Sequence, residues 1–216
     1  MTRPGAEPAI NLPPFTLALI AANIAAFAAV RLLDGDAVWL AIDSFGFIPQ
    51  RYADGMPAGA AAVYTPVTYQ FLHGDWVHLA VNMVSLAAFG AGMERRVGGG
   101  TMLSVYLLCG MLAAAAHFAV YPASTDPVIG ASGAISGLMG GVIRLMREAG
   151  RPRGGTAGGL IGFAAVWALS TVVFGITGMP SGGGAQIAWV AHLGGFAAGL
   201  LLFGFFIRNG STDDQT

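Results

Sequence analysis

The sequence predicts an all-α membrane protein, a bundle of six transmembrane helices. Three observations predict it. The 216 residues are 55% hydrophobic and only 10% charged, with a mean hydropathy of +0.67, whereas soluble domains carry about 25% charged residues. Six apolar stretches run through 15–33, 77–93, 102–120, 132–146, 158–176 and 187–207, and a span needs roughly 20 apolar residues. The arginines fall unevenly on the connections between those stretches. Six spans and short connections use up the chain and leave no room for a second domain.

The first stretch contains Ala26-Phe27-Ala28, the small-x-small pattern of a signal-peptidase site. The apolar run nevertheless continues to Leu33, and residues 1–14 hold one Arg and one Glu, so the stretch reads as an uncleaved span. The connection 34–76 is too polar to span, and its Trp39, Phe45, Phe47, Tyr52 and Tyr64 suit a segment at the membrane interface. The next five stretches are separated by short breakers at Gly98-Gly99-Gly100, 121–130, 150–155 and 178–184. The glycine-rich stretch 175–184 reads either as plain loop or as a mobile cap, since glycine permits wide backbone excursions.

With six spans, Arg3, Arg95, Arg96, Arg144, Arg147, Arg151, Arg153 and Arg208 share one side, and only Arg31 and Arg51 take the other. Cytoplasmic loops are the arginine-rich ones. Both termini are then cytoplasmic, and the connections 34–76, 121–130 and 178–184 face outward.

Composition excludes several functions. The chain has no Lys, which removes a P-loop and any basic footprint for nucleic acid. The lone Cys109 allows neither an intramolecular disulfide nor a cysteine-based zinc site. A zinc protease needs a His-Glu-x-x-His motif, and the chain has none. An intramembrane aspartyl protease needs two deep carboxylates, and ion-coupled transporters usually keep one, but no span holds an acid deep inside it. The polar residues within spans are His78, Asn82, His117, Ser132, Ser136, Ser170, Thr171 and His192. Hydroxyl, imidazole and amide are the groups of acyl transfer.

Depth narrows the set. Ser132 lies 12 residues from Arg144 and Asn82 lies 12 from Glu94, about 18 Å along a helix. His78 is 16 from Glu94 and His192 is 16 from Arg208, about 24 Å. In a hydrocarbon core about 30 Å thick, all four fall in the outer half and can share one layer. His78 and Asn82, four apart, share a helix face and suit a developing oxyanion. Ser132 stands at a helix start, where free N–H groups favour negative charge. A serine needs a base to become a nucleophile, and His192 is the remaining histidine at matching depth. Gly133, Gly137 and Gly141 repeat every four residues after Ser132, as do Ala191, Gly195 and Gly199 around His192, and such stripes let helices approach closely. His73 reads as an interfacial structural residue, His117 as packing, and Glu94 with Arg95 as a structural cap at the inner interface.

These residues resemble the rhomboid family of intramembrane serine proteases. Gly130-Ala131-Ser132-Gly133, continued by Ala134 and Gly137, looks like the family's G-x-S-G nucleophile motif. Ala191-His192-x-x-Gly195-x-x-x-Gly199 looks like its base-bearing helix. His78-x-x-x-Asn82, preceded by Phe71-Leu72-His73-Gly74, resembles its second helix, and Glu94-Arg95-x-x-Gly98 the turn after it. The resemblance implies a rhomboid-like six-helix domain over 15–208, with an outer loop at 34–76 and cytoplasmic tails at 1–14 and 209–216. It implies a Ser132–His192 dyad without an acid, an oxyanion hole of His78, Asn82 and the Ser132 N–H, and neither metal nor cofactor. The implied partners are the lipid bilayer and transmembrane protein substrates cut near their outer end, with no nucleic acid; the implied location is a bacterial inner (plasma) membrane. Two positions depart from the family pattern. Ser136 stands where many members carry an aromatic stacked under the base, and Tyr64-Thr65 where the outer loop often carries Trp-Arg. A non-catalytic relative that binds transmembrane segments, and a small transporter or channel, are the alternatives at this stage.

Overall fold

The computed structural model describes residues 11–53, 59–148, 156–177 and 188–210, and they are helical throughout apart from turns and one isolated bridge. The helices are α1 (Pro14–Arg31), α2 (Asp36–Phe45), α3 (Gln50–Ala53), α4 (Ala61–Thr68), α5 (Trp76–Val97), α6 (Gly99–Val120), α7 (Ser132–Glu148), α8 (Thr156–Thr177) and α9 (Trp189–Gly210), with a 3-10 turn at Tyr69–Phe71 after α4. Each of the six apolar stretches is a helix. The breakers expected at 150–155 and 178–184 lie outside the described residues, as do the tails 1–10 and 211–216 and most of the candidate cap at 175–184.

Three of these helices, α1, α5 and α6, are long and apolar enough to cross a membrane. Shorter apolar segments, Gly162–Val173 and Trp189–Gly204, lie within α8 and α9. α7 has 17 residues, about 25 Å of helix, and falls short of a hydrocarbon core about 30 Å thick. One local expectation is corrected. The break at Gly98-Gly99-Gly100 is confined to Gly98, whose φ of +79° reverses the chain while α6 already begins at Gly99. The connection 34–76, expected not to span, contains the short helices α2, α3 and α4.

α6 supplies the centre of the core. Its Met102, Val105, Tyr106 and Cys109 are fully enclosed, together with Leu86 and Met93 of α5, Leu138 of α7 and Phe203 of α9. Outward faces are apolar as well: Val77, Val81 and Val84 on α5 and Phe163, Val166 and Leu169 on α8 are all exposed. A continuous apolar exterior of this kind marks a surface made for lipid rather than water.

α7 and α9 approach so closely that side chains are excluded between them. A Cβ on Gly195 would overlap the carbonyl of Gly133, and one on Gly199 would overlap the carbonyl of Gly137. A Cβ on Gly137 would in turn collide with Cys109 of α6. The two small-residue stripes read from the sequence therefore face each other, and van der Waals contact between backbones holds the pair.

At the opposite end of the bundle Glu94 caps α1 from a different helix. Its buried carboxylate accepts the Phe15 N–H at 3.0 Å, the Thr16 N–H at 2.7 Å and the Thr16 hydroxyl at 2.7 Å. The first N–H groups of a helix have no acceptor of their own, and a negative charge there also meets the positive end of the helix dipole. Arg95 donates to the Asn11 carbonyl beside it. Replacing Glu94 by Ala leaves these donors unpaired and should lower unfolding stability in detergent by about 1.5–3 kcal/mol, the range for hydrogen bonds to a charged group. Stability equal to wild type would remove Glu94 from this role.

Candidate functional site

Three helices begin at one end of the bundle, and each carries a candidate residue in its first turns. His78 is the third residue of α5, Ser132 the first of α7 and His192 the fourth of α9. Asp75 sets the start of α5, its carboxylate accepting the His78 N–H at 2.8 Å, as an N-cap aspartate does. The segment leading into Ser132 is pinned by the connection 34–76. Phe47 and Val128 exchange backbone hydrogen bonds of 3.1 and 2.8 Å, and the Gln50 N–H donates to the Ser124 carbonyl at 3.0 Å. The Gly130 N–H then donates to the Tyr69 carbonyl at 2.9 Å. Tyr69 is itself fixed, its hydroxyl donating to the Gly110 carbonyl at 2.6 Å. Burial pushes this phenol well above its usual range, so it remains a neutral donor.

The Ser132 Oγ and the His192 Nε2 lie 2.5 Å apart. The His192 Nδ1 is buried and has no hydrogen-bond partner among the described residues, so no carboxylate orients the ring. His78 comes to the same place from α5. The point where a Cβ on Gly130 would sit is 2.7 Å from the His78 Nε2 and 3.7 Å from the Ser132 Oγ. Gly130 has φ +120°, a conformation reserved for glycine, and its missing side chain leaves the imidazole room beside the serine. An imidazole N–H, a helix-start N–H and a hydroxyl paired with a second imidazole together suit addition to a carbonyl and charge development on its oxygen.

Asn82 is buried on the His78 face of α5, but its amide donates to the His78 carbonyl at 2.9 Å. One of its two N–H donors is thus engaged within its own helix. Ser136 is turned the same way, its hydroxyl donating to the Ser132 carbonyl at 2.5 Å. His117 is buried near the end of α6 with its ring 5.1 Å from Tyr121. Ser170 donates to the Trp167 carbonyl at 2.9 Å, and Thr171 is buried. Thr65 is buried and shares a 2.6 Å hydrogen bond with the Tyr52 hydroxyl, which ties α4 to α3. Among the described residues no group of three or more His, Cys, Asp or Glu is arranged to hold a metal ion.

Two participants, Trp167 and Tyr69, escape sequence reasoning. Trp167 lies beside the His192 ring, at 5.6 Å between centroids and 32° between planes. Tyr69 fixes Gly130 through its backbone, which no side-chain pattern announces. His73 packs its ring 5.0 Å from that of His78. Burial, and secondarily the neighbouring His78, pull the His73 pKa down to about 4.

Comparison with known proteins gives two findings. The profile of the family described as Rhomboid domain matches residues 60–209. A stretch of 79 residues is 38% identical to the Rhomboid protease GluP of Bacillus subtilis (strain 168), covering 37% of this chain and 14% of that protein. The chain therefore spans only a small part of the length of that relative.

Alanine at Gly130 would adopt a strained conformation and press on the His78 ring. Gly130→Ala should slow the reaction of Ser132 with a fluorophosphonate by about 10²-fold, the cost of a misplacement near 1 Å, while helix content stays at the wild-type level. An unchanged rate would separate His78 from the site. A second outcome follows from His73. Its pKa is about 4 in the folded protein against about 6.5 unfolded, so the unfolded chain binds the extra proton between those values. Stability should fall as pH drops through that window, and His73→Gln should flatten the slope. An identical slope in the variant would contradict this.

Proposed function

The chain belongs to the rhomboid family, and we propose that it is an intramembrane serine endopeptidase that cuts transmembrane segments of membrane proteins near their outer end. The observation that carries the proposal is the 2.5 Å approach of the Ser132 Oγ to the His192 Nε2. The two residues stand 60 positions apart in sequence and meet on two helices whose backbones touch.

Ser132 attacks the scissile carbonyl carbon while the His192 Nε2 takes the hydroxyl proton. This requires the neutral tautomer that carries its hydrogen on Nδ1. The carbonyl oxygen gains the charge and is held by the Ser132 N–H, the His78 imidazole and the remaining Asn82 N–H. The starts of α5, α7 and α9 turn the positive ends of three helix dipoles toward the same charge. His192 then gives its proton to the leaving amine, and an acyl-enzyme remains on Ser132. Water, deprotonated by His192, releases the acid product and restores the serine. Neither metal nor cofactor takes part in this scheme.

The same reading makes residues 15–208 one six-helix domain between cytoplasmic tails at 1–14 and 209–216. α7 then starts partway into the bilayer, because irregular backbone at membrane depth is tolerated where it lines a wet cavity. The arginine distribution supports an orientation with the site toward the outer face of a bacterial inner membrane.

The test is cleavage of a generic single-span reporter in proteoliposomes, with the cut mapped by mass spectrometry. Wild type should cut near the outer end of the span. Ser132→Ala should be inactive, and His192→Ala should lose most activity although it keeps the hydroxyl. Ser136→Ala should remain active, since that hydroxyl faces its own helix. Cleavage that survives Ser132→Ala would overturn the assignment, and a wild type that binds the reporter without cutting it would make the protein a binding relative.

A further inference from the structure

We infer that Trp167 of α8 is the positioning residue for the His192 imidazole, its ring lying against that imidazole from a neighbouring helix. The inference rests on the reading of Ser132 and His192 as nucleophile and base. It starts from a deficit: an imidazole ring turns about two side-chain bonds, and a single hydrogen bond at Nε2 does not fix the ring plane. His192 has that one bond, to Ser132, and its Nδ1 has no partner among the described residues. Ser136, one turn beyond Ser132, is a small side chain whose hydroxyl is committed to the Ser132 carbonyl.

Trp167 meets the deficit by position. Its ring stands 5.6 Å from that of His192 in a tilted pairing of 32°, within the 4.5–7 Å range over which aromatic rings interact. The indole is itself held. It lies 6.5 Å from the Phe196 ring, one turn beyond His192 on α9. Ala164 and Thr171, three residues before and four after it, are buried on the same face of α8. Ala164 belongs to a cluster with Met139 and Ile143 of α7, against which Trp167, Phe196 and Leu200 pack. The opposite face of α8, with Val166 and Leu169, is exposed. The inner face thus locks the indole, and the indole limits rotation of the imidazole. The indole also bears on chemistry. When His192 accepts the serine proton it becomes a cation, and the electron-rich face of an indole attracts a cation. No described carboxylate bonds Nδ1, and the indole face offers a stabilising contact for that cation.

The experiment uses the full chain in proteoliposomes, comparing wild type, Trp167→Phe and Trp167→Leu for reporter cleavage and fluorophosphonate labelling. Leu fills space without a ring face; Phe keeps a smaller one. Trp167→Leu should lower kcat about tenfold, or ~1.4 kcal/mol, with KM within about twofold, because the contact strengthens as charge develops. Trp167→Phe should stay within about threefold of wild type, since a phenyl face retains part of the attraction. In wild-type protein carrying labelled histidine, the His192 ring protons should resonate upfield from the indole ring current, a readout that needs no variant to fold. Wild-type kcat in Trp167→Leu, equal losses in Phe and Leu, or an unshifted His192 resonance would overturn the inference. A rise in KM alone would make Trp167 a substrate contact instead. A wild type that neither cleaves nor labels would overturn the protease reading itself and this inference with it.

Discussion

The close packing of α7 on α9 is the constraint on which the placement of Ser132 and His192 rests. Ordinary helix pairs lie about 8–10 Å apart, with side chains filling the gap. Here Gly133 and Gly137 of α7 meet Gly195 and Gly199 of α9, and neither Gly195 nor Gly199 has room for a single carbon. The short reach of Ser132 and the rigid reach of His192 then suffice to close the 2.5 Å contact. That contact is a product of absent side chains, and the remainder of the bundle is arranged around it.

The arrangement also answers the lipid environment. In hydrocarbon every backbone donor needs an acceptor within the protein. The start of α1 finds one in Glu94, on the end of a different helix. The start of α5 finds one in its own N-cap, Asp75, while the start of α7 carries Ser132. The connection between α1 and α5 closes that end of the bundle through the Phe47–Val128 bridge and the Tyr69–Gly130 hydrogen bond, so the approach to Ser132 is shaped by a segment outside the long apolar helices. Exposed valines and leucines cover the outer faces of α5 and α8, leaving the inner face of α8 to carry Trp167.

Much of this was readable from the sequence because it depends on local pattern. Long apolar runs became helices at nearly the expected bounds, and the residues chosen by helical depth, Ser132, His78 and His192, converge. Asn82 and Ser136 occupy the expected helices, yet their hydrogen bonds run back along those helices, a choice that depends on rotamer and not on spacing. Gly98 was legible as a breaker and Gly130 as part of a motif, but their positive φ was not, because it is a property of the turn and the sequence carries 33 glycines. Trp167 could not be found at all from its own neighbourhood. In α8 it reads as one more apolar residue, and only the packing of α8 on α9 brings it to His192. The small helices of the connection 34–76 were missed for a related reason: amphipathic segments of four to ten residues do not form alone and owe their existence to the bundle beneath them.

The central claim, that backbone contact between α7 and α9 creates the Ser132–His192 pair, is tested most directly by the rate at which a fluorophosphonate reacts with Ser132 in Gly195→Ala. One methyl group there must push the helices apart, and a misplacement near 1 Å costs a catalytic arrangement about 10²-fold. The account predicts a loss of that order in protein that remains helical and membrane-inserted, while Gly100→Ala, where a Cβ meets open space, reacts at the wild-type rate. Equal reaction rates in Gly195→Ala and wild type would contradict it.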